Sequence, residues 1–196
     1  MWTCKMNLSE YQTEIPKLAH IPKDVPELFY CAACMCEEAG EVLDVTVRLT
    51  EEETLLCDHP DLVKELGDVL WYLTMAANSQ AFPMSTLLEN LEELEADYDW
   101  PGFFAGNSRF YFATQLGYRA SKVMGLVKKH YRDRHVEGYE DLDYRALHDA
   151  LRATLATLSF TGKLSGISLE TIAETNYNKI LDRVNRGTFH GTGSNR

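Results

Sequence analysis

Between Leu62 and Ala77 the chain reads LVKELGDVLWYLTMAA, with apolar side chains at 62, 63, 66, 69, 70 and 73. That is the i, i+3, i+4, i+7 spacing of one face of an α-helix. The same period recurs along almost the whole chain. It predicts helices near 8–19, 26–48, 60–80, 85–97, 107–132, 143–163 and 168–185. Pro16 should break or bend the first of these, and Pro60 suits the first turn of the third, with Asp58 or His59 as its cap. No run alternates apolar and polar residues between hairpin turns, so no sheet is expected. The expected fold class is all-α, and 196 residues at 45% apolar content are enough for one sizeable core. No apolar run reaches bilayer length, and the opening MWTCKMNLSEYQ lacks the layout of a secretory signal. The expected location is the cytoplasm, with the five cysteines as reduced thiols.

Charge is divided unevenly. The net of −11 argues against a nucleic-acid backbone as partner. Residues 1–99 hold 5 Lys/Arg against 21 Asp/Glu, a net of −16, whereas residues 100–196 hold 14 against 9, a net of +5. An acidic half suits metal ions, and a basic half suits phosphate or the acidic half itself.

A repeat with an offset of 81 residues runs through the chain. ELFYCAACMCEEAGEVLDVTVRLT (27–50) lies over SRFYFATQLGYRASKVMGLVKKHY (108–131), so that Tyr30, Ala32, Ala39 and Val42 meet Tyr111, Ala113, Ala120 and Val123. Leu66, Val69 and Leu70 fall on Leu147, Ala150 and Leu151. Further on, PMSTLLENLEEL resembles GISLETIAETNYNKIL. The expectation is a tandem duplication, 1–99 and 100–196, folded as one compact pseudo-dimer.

Residues 31–41, CAACMCEEAGE, pose the chemical question, because three cysteines lead into three glutamates. Cys31 and Cys34 share a helix face and Cys36 is rotated away, and no second CxxC completes a four-ligand zinc site. The cysteines are expected to pack as small apolar residues. Glu38 and Glu41 are three apart on one helix, and Glu65 and Asp68 repeat the spacing on the next. Four acids converging between helices repel one another and are costly to desolvate, and a hard divalent cation removes that cost. Mg2+ takes such oxygen ligands and keeps waters for substrate phosphates.

EEAGEVLD followed by KELGDVLWYL resembles the MazG-like, all-α NTP pyrophosphohydrolases, relatives of the dimeric dUTPases. Their motif, ExxE, a spacer, then ExxD, reads here as Glu38-x-x-Glu41, twenty-three residues, Glu65-x-x-Asp68. The ending NYNKILDRVNRGTFHGTGSNR resembles the family's NxxKLxxRxxRG and GxGDxR, with Ser194 standing where that Asp is usual, and the LSEYQ opening also fits. The resemblance covers most of 8–94 and 107–196. It implies a helical bundle that associates in pairs. It also implies Mg2+-dependent cleavage of a nucleoside triphosphate between its α- and β-phosphates, with Mn2+ a substitute. By position, Glu38, Glu41, Glu65 and Asp68 are the implied metal ligands, Glu38 (with Glu41 beside it) the implied base toward the attacking water, and Tyr72 a residue near the nucleoside.

The second copy departs from the motif: Glu38 and Glu41 become Arg119 and Lys122, and Glu65 and Asp68 become Ala146 and Asp149, or Asp149 and Arg152 if the register slips one turn. The last helices show the reverse, since aligning Asn90 with Asn176 sets Glu93 and Asp97 against Lys179 and Arg183. The reading is one composite site. The first copy supplies metals, and Asn176, Lys179, Arg183 and Arg186 of the second hold phosphates. A fused pair has less need of a homodimer, though the fused unit can still pair. A di-iron bundle is disfavoured because no histidine has a glutamate three residues before it. A non-catalytic nucleotide-binding regulator of the same fold is the alternative.

Overall fold

Four long amphipathic helices each need a partner for their apolar stripe, and they find it by closing a ring. The structure, a computed structural model, describes residues 6–51, 60–96, 108–139 and 141–188. The helices are α1 (Leu8–Glu14), α2 (Glu27–Glu51), α3 (Pro60–Ser79), α4 (Met84–Leu87), α5 (Leu91–Ala96), α6 (Ser108–Asp133), α7 (Tyr144–Leu164) and α8 (Leu169–Arg186). A 3-10 turn spans Ile15–Leu18, and the described residues contain no strand. The fold is all-α.

In the ring α2 packs on α3 and α6, and α7 packs on α6 and α3. Ring contacts give the directions. Tyr30 meets Tyr72, Phe29 meets Tyr131, and Phe112 meets Phe160, so each early residue faces a late one and neighbours run antiparallel. Side chains from both halves of the chain form one continuous core, with Ala39 and Leu66 among those from the first half and Ala120 and Leu147 among those from the second. The shorter elements cross between halves: α8 leans on α3, while α4 and α5 lean on α7. α1 fills the angle between α8, α4 and α3.

Local chemistry accounts for the boundaries. α1 starts with a capping box in which Asn7 accepts the Glu10 N–H at 2.9 Å and Glu10 accepts the Asn7 N–H at 3.1 Å. The predicted helix 8–19 is shorter: α1 stops at Glu14, and Pro16 sits in the first turn of the 3-10 segment. The helix expected over 85–97 is two short helices, broken at Leu88–Asn90, where Asn90 adopts φ of 50°. Asn tolerates this left-handed backbone better than most residues. Asn90 therefore lies in a break, whereas Asn176, its partner in the repeat alignment, lies inside a regular helix. α8 is capped by Ser168, which accepts the Thr171 N–H, and ends at Gly187 with φ of 66°. The proposed Asp58 or His59 cap lies outside the described residues.

α3 is the helix covered on most sides, and Gly67 is why α8 can come so close. A Cβ at Gly67 would sit 2.8 Å from the Asn176 Cβ, inside any real contact. Gly67→Ala must push α8 outward or strain both helices, and overpacking of this kind costs about 1–3 kcal/mol. The expected outcome is a lower denaturation midpoint in urea for Gly67→Ala and a raised one for Gly40→Ala, whose added Cβ meets nothing within 4 Å and which replaces a helix-interior glycine.

Candidate metal centre

α2 and α3 run antiparallel, so motif positions near the middle of each come face to face. Glu38, Glu65 and Asp68 each place a carboxylate oxygen within 4.8 Å of the other two, all half-buried. Glu41 is exposed, one turn on from Glu38, and shares a side-chain hydrogen bond with Glu65. Three of the four sequence-predicted ligands thus form the cluster and the fourth borders it.

Asp68 is the most tightly held. Its Oδ1 accepts from Asn176 Nδ2 at 2.8 Å, and its Oδ2 is ion-paired with Lys179 Nζ. Asn176 is fully buried, and its own Oδ1 accepts from the Tyr11 hydroxyl at 2.7 Å. Lys179 and Asp68 are 17% and 18% exposed, so solvent weakens this pair far less than one at the open surface.

The other acids are held against their charge. Glu38 is pushed up to about 8, first by burial, then by Asp68, Glu41 and Glu65, with Lys179 pulling the other way. Glu65 rises to about 7, again first by burial and then by Asp68, despite Lys179. Carboxylates crowded until they retain protons near neutrality are hard oxygen donors whose mutual repulsion a divalent cation would relieve. This donor set fits Mg2+ or Mn2+.

Beside the acids lies a cavity of about 180 Å³ lined by Glu38 and Asp68, the aromatic rings of Tyr30, Trp71 and Tyr72, and His20 and Arg183. Tyr72 packs edge-on against both Tyr30 and Trp71. Burial, with Cys34 and Tyr30 next, raises Tyr72 well above its ordinary value, so its hydroxyl stays protonated. The Trp71 indole Nε1 is buried with no hydrogen-bond partner. Of the sequence-predicted residues, Tyr72 and Arg183 line this cavity, and Asn176 and Lys179 reach Asp68. Arg186 instead pairs with Asp182 at 2.7 Å and stays 49% exposed at the end of α8. Sequence reasoning missed His20, Tyr30 and Trp71 as pocket residues. Tyr30 and Trp71 fall in the helical apolar pattern and read as core, and nothing local marks His20.

Cys31, Cys34 and Cys36 are free thiols, all raised by burial, Cys31 to about 12. A soft-metal or redox site needs thiolate. These pack, and the glutamates after them carry the charge. Cys4 and Cys57 lie outside the described residues.

Residues 30–93 match the MazG nucleotide pyrophosphohydrolase domain. That MazG span holds the four acids, Tyr30, Trp71 and Tyr72, and ends before α6. Asn176, Lys179 and Arg183 lie outside it. Neither a curated protein nor a solved structure matches the chain. No helix of the described residues is long and apolar enough to cross a membrane.

Raised carboxyl values have a definite sign in stability. Glu38 and Glu65 bind protons more tightly folded than unfolded, so stability of the cation-free protein falls as pH rises from about 4.5 through 7 and 8. Melting in chelator from pH 5 to 8.5 should show a declining Tm, with a shallower decline in Glu38→Gln. Adding Mg2+ should restore Tm most at the alkaline end, where it replaces protons.

Proposed function

We propose that the chain is a divalent-cation-dependent nucleoside triphosphate pyrophosphohydrolase, releasing a nucleoside monophosphate and pyrophosphate. The observation that carries this is the juxtaposition of three crowded carboxylates from α2 and α3, cationic side chains from α8, and an aromatic cavity. Glu38, Glu65 and Asp68 would hold the cation, with Glu41 as the fourth ligand at the exposed edge. When bound, the cation neutralises phosphate charge and acidifies the attacking water. The aromatic walls take the nucleoside, and a 180 Å³ cavity suits a base with the triphosphate extending toward the acids.

Each residue then has a task. Lys179 and Arg183 bind phosphate oxygens, and Asn176 orients Asp68. Glu38, in preference to its neighbour Glu41, takes the proton of the attacking water as general base. The water oxygen bonds to one of the two phosphorus atoms that flank the α,β-bridging oxygen, the bond from that same phosphorus to the bridging oxygen breaks, and the monophosphate and pyrophosphate separate.

The second half completes the site as a degenerate duplicate of the first. Matching burial at equivalent positions supports this, with Ala32 and Ala113, Ala39 and Ala120, Val42 and Val123, and Leu66 and Leu147 all fully buried. So does the crosswise packing of α8 on α3 and of α4 and α5 on α7. The break at Asn90 weakens the correspondence at the last helix only.

Incubation with Mg2+ and a panel of ribo- and deoxynucleoside triphosphates should yield pyrophosphate rather than orthophosphate. Glu38→Gln and Glu41→Gln should each lose about 100-fold or more in kcat. Bound nucleotide without turnover in the wild type would turn the reading to a nucleotide-binding regulator. Lys179→Ala and Arg183→Ala should each lower kcat/KM about 10–100-fold, the scale of a lost charged hydrogen bond. If both leave KM and kcat unchanged, α8 is no part of the site.

A further inference from the structure

Beneath the metal centre runs a buried polar relay that the proposed reaction does not itself require. The Tyr11 hydroxyl donates to Asn176 Oδ1 at 2.7 Å, and Asn176 Nδ2 donates to Asp68 Oδ1 at 2.8 Å. Tyr11 and Asn176 are both fully buried. We propose that Tyr11 is a positioning residue for the metal centre: by holding the amide of Asn176 it fixes the carboxylate of Asp68, and through it the affinity for the divalent cation.

An ionised carboxylate is acceptor-only, so the amide must turn its NH2 end toward Asp68. Its carbonyl end then points back into the core, where no water reaches it. A buried acceptor left without a donor is costly, and the flipped amide would set two oxygens against each other. The Tyr11 hydroxyl supplies the donor and removes the ambiguity. Burial first, and the charge of Asp68 second, raise Tyr11 well above its ordinary value, so the phenol keeps the proton it donates. Gly67 lets the amide stand directly against α3, with its Nδ2 within 3.2 Å of where a Cβ would be. Asp68 is thereby tied on one oxygen by the amide and left with the other facing Lys179 and the cluster.

The arrangement also gives α1 a task beyond packing. α1 anchors to the bundle through Gln12 as well, whose side chain donates to the Phe82 carbonyl at 2.8 Å and accepts from the Met84 N–H at 2.6 Å. Those bonds fix the helix at the end of α3, and Tyr11, one residue earlier, is thereby fixed under the metal centre. Partners of metal-binding carboxylates commonly tune metal affinity 10–100-fold when altered.

The inference rests on the acids being a cation site, so the test reads the cation directly. Mn2+ alone would be titrated into the full chain, followed by electron paramagnetic resonance, well below each variant's Tm. Tyr11→Phe keeps the ring and removes one oxygen. The expected result is an Mn2+ Kd about tenfold weaker than wild type. In an Asn176→Ala background the same substitution should add nothing, since Tyr11 acts through the amide. An equal loss in both backgrounds, or a lowered Tm with an unchanged Kd, overturns the positioning role and leaves the cation site standing. If wild type binds no Mn2+ while Glu38→Gln behaves identically, the cation site falls and the inference with it.

Discussion

The approach of α8 to α3 at Gly67 is the contact on which the site depends. It places Asn176 and Lys179, from the basic half of the chain, against Asp68 in the acidic half. Without it the carboxylates would face one another with no compensating charge. A Cβ at position 67 closes the gap by itself, which makes one absent side chain a condition for the whole arrangement.

Around that contact two opposing demands are balanced. The bundle needs apolar surfaces buried between α2 and α3, and Leu66, Val69 and Leu70 supply them. The same interface holds acids that resist burial, and they respond by keeping protons near neutral pH. A single lysine relieves only part of this, since Glu38 and Glu65 stay raised in its presence. The protein thus carries a local conflict between charge and burial that a bound divalent cation would resolve.

Much of this could be read in the sequence because it is local. Helical period and the repeated three-residue spacing set Glu38 beside Glu41 and Glu65 beside Asp68 on successive helices, with the latter pair near a core-facing edge. Tyr72 came only from the family resemblance, and Lys179 from aligning Asn90 with Asn176. The break at Asn90 was not legible, since the apolar pattern over 85–97 suits an unbroken helix and the left-handed residue is a tertiary outcome. Arg186 shares a motif with Lys179 and Arg183, yet the last turn of α8 carries it away toward Asp182.

By itself the sequence determined the all-α class, the acidic motif and the separation of charge between halves, because each depends on spacing along one chain. Only the tertiary structure decided that Glu41 stands at the exposed edge, that Trp71 and Tyr30 wall a cavity as well as packing in or against the core, and that Tyr11 reaches Asn176 across 165 residues. Those outcomes depend on how far apart helices settle and in what rotation. Both are set by the summed volumes of side chains between them, which no single stretch of sequence contains.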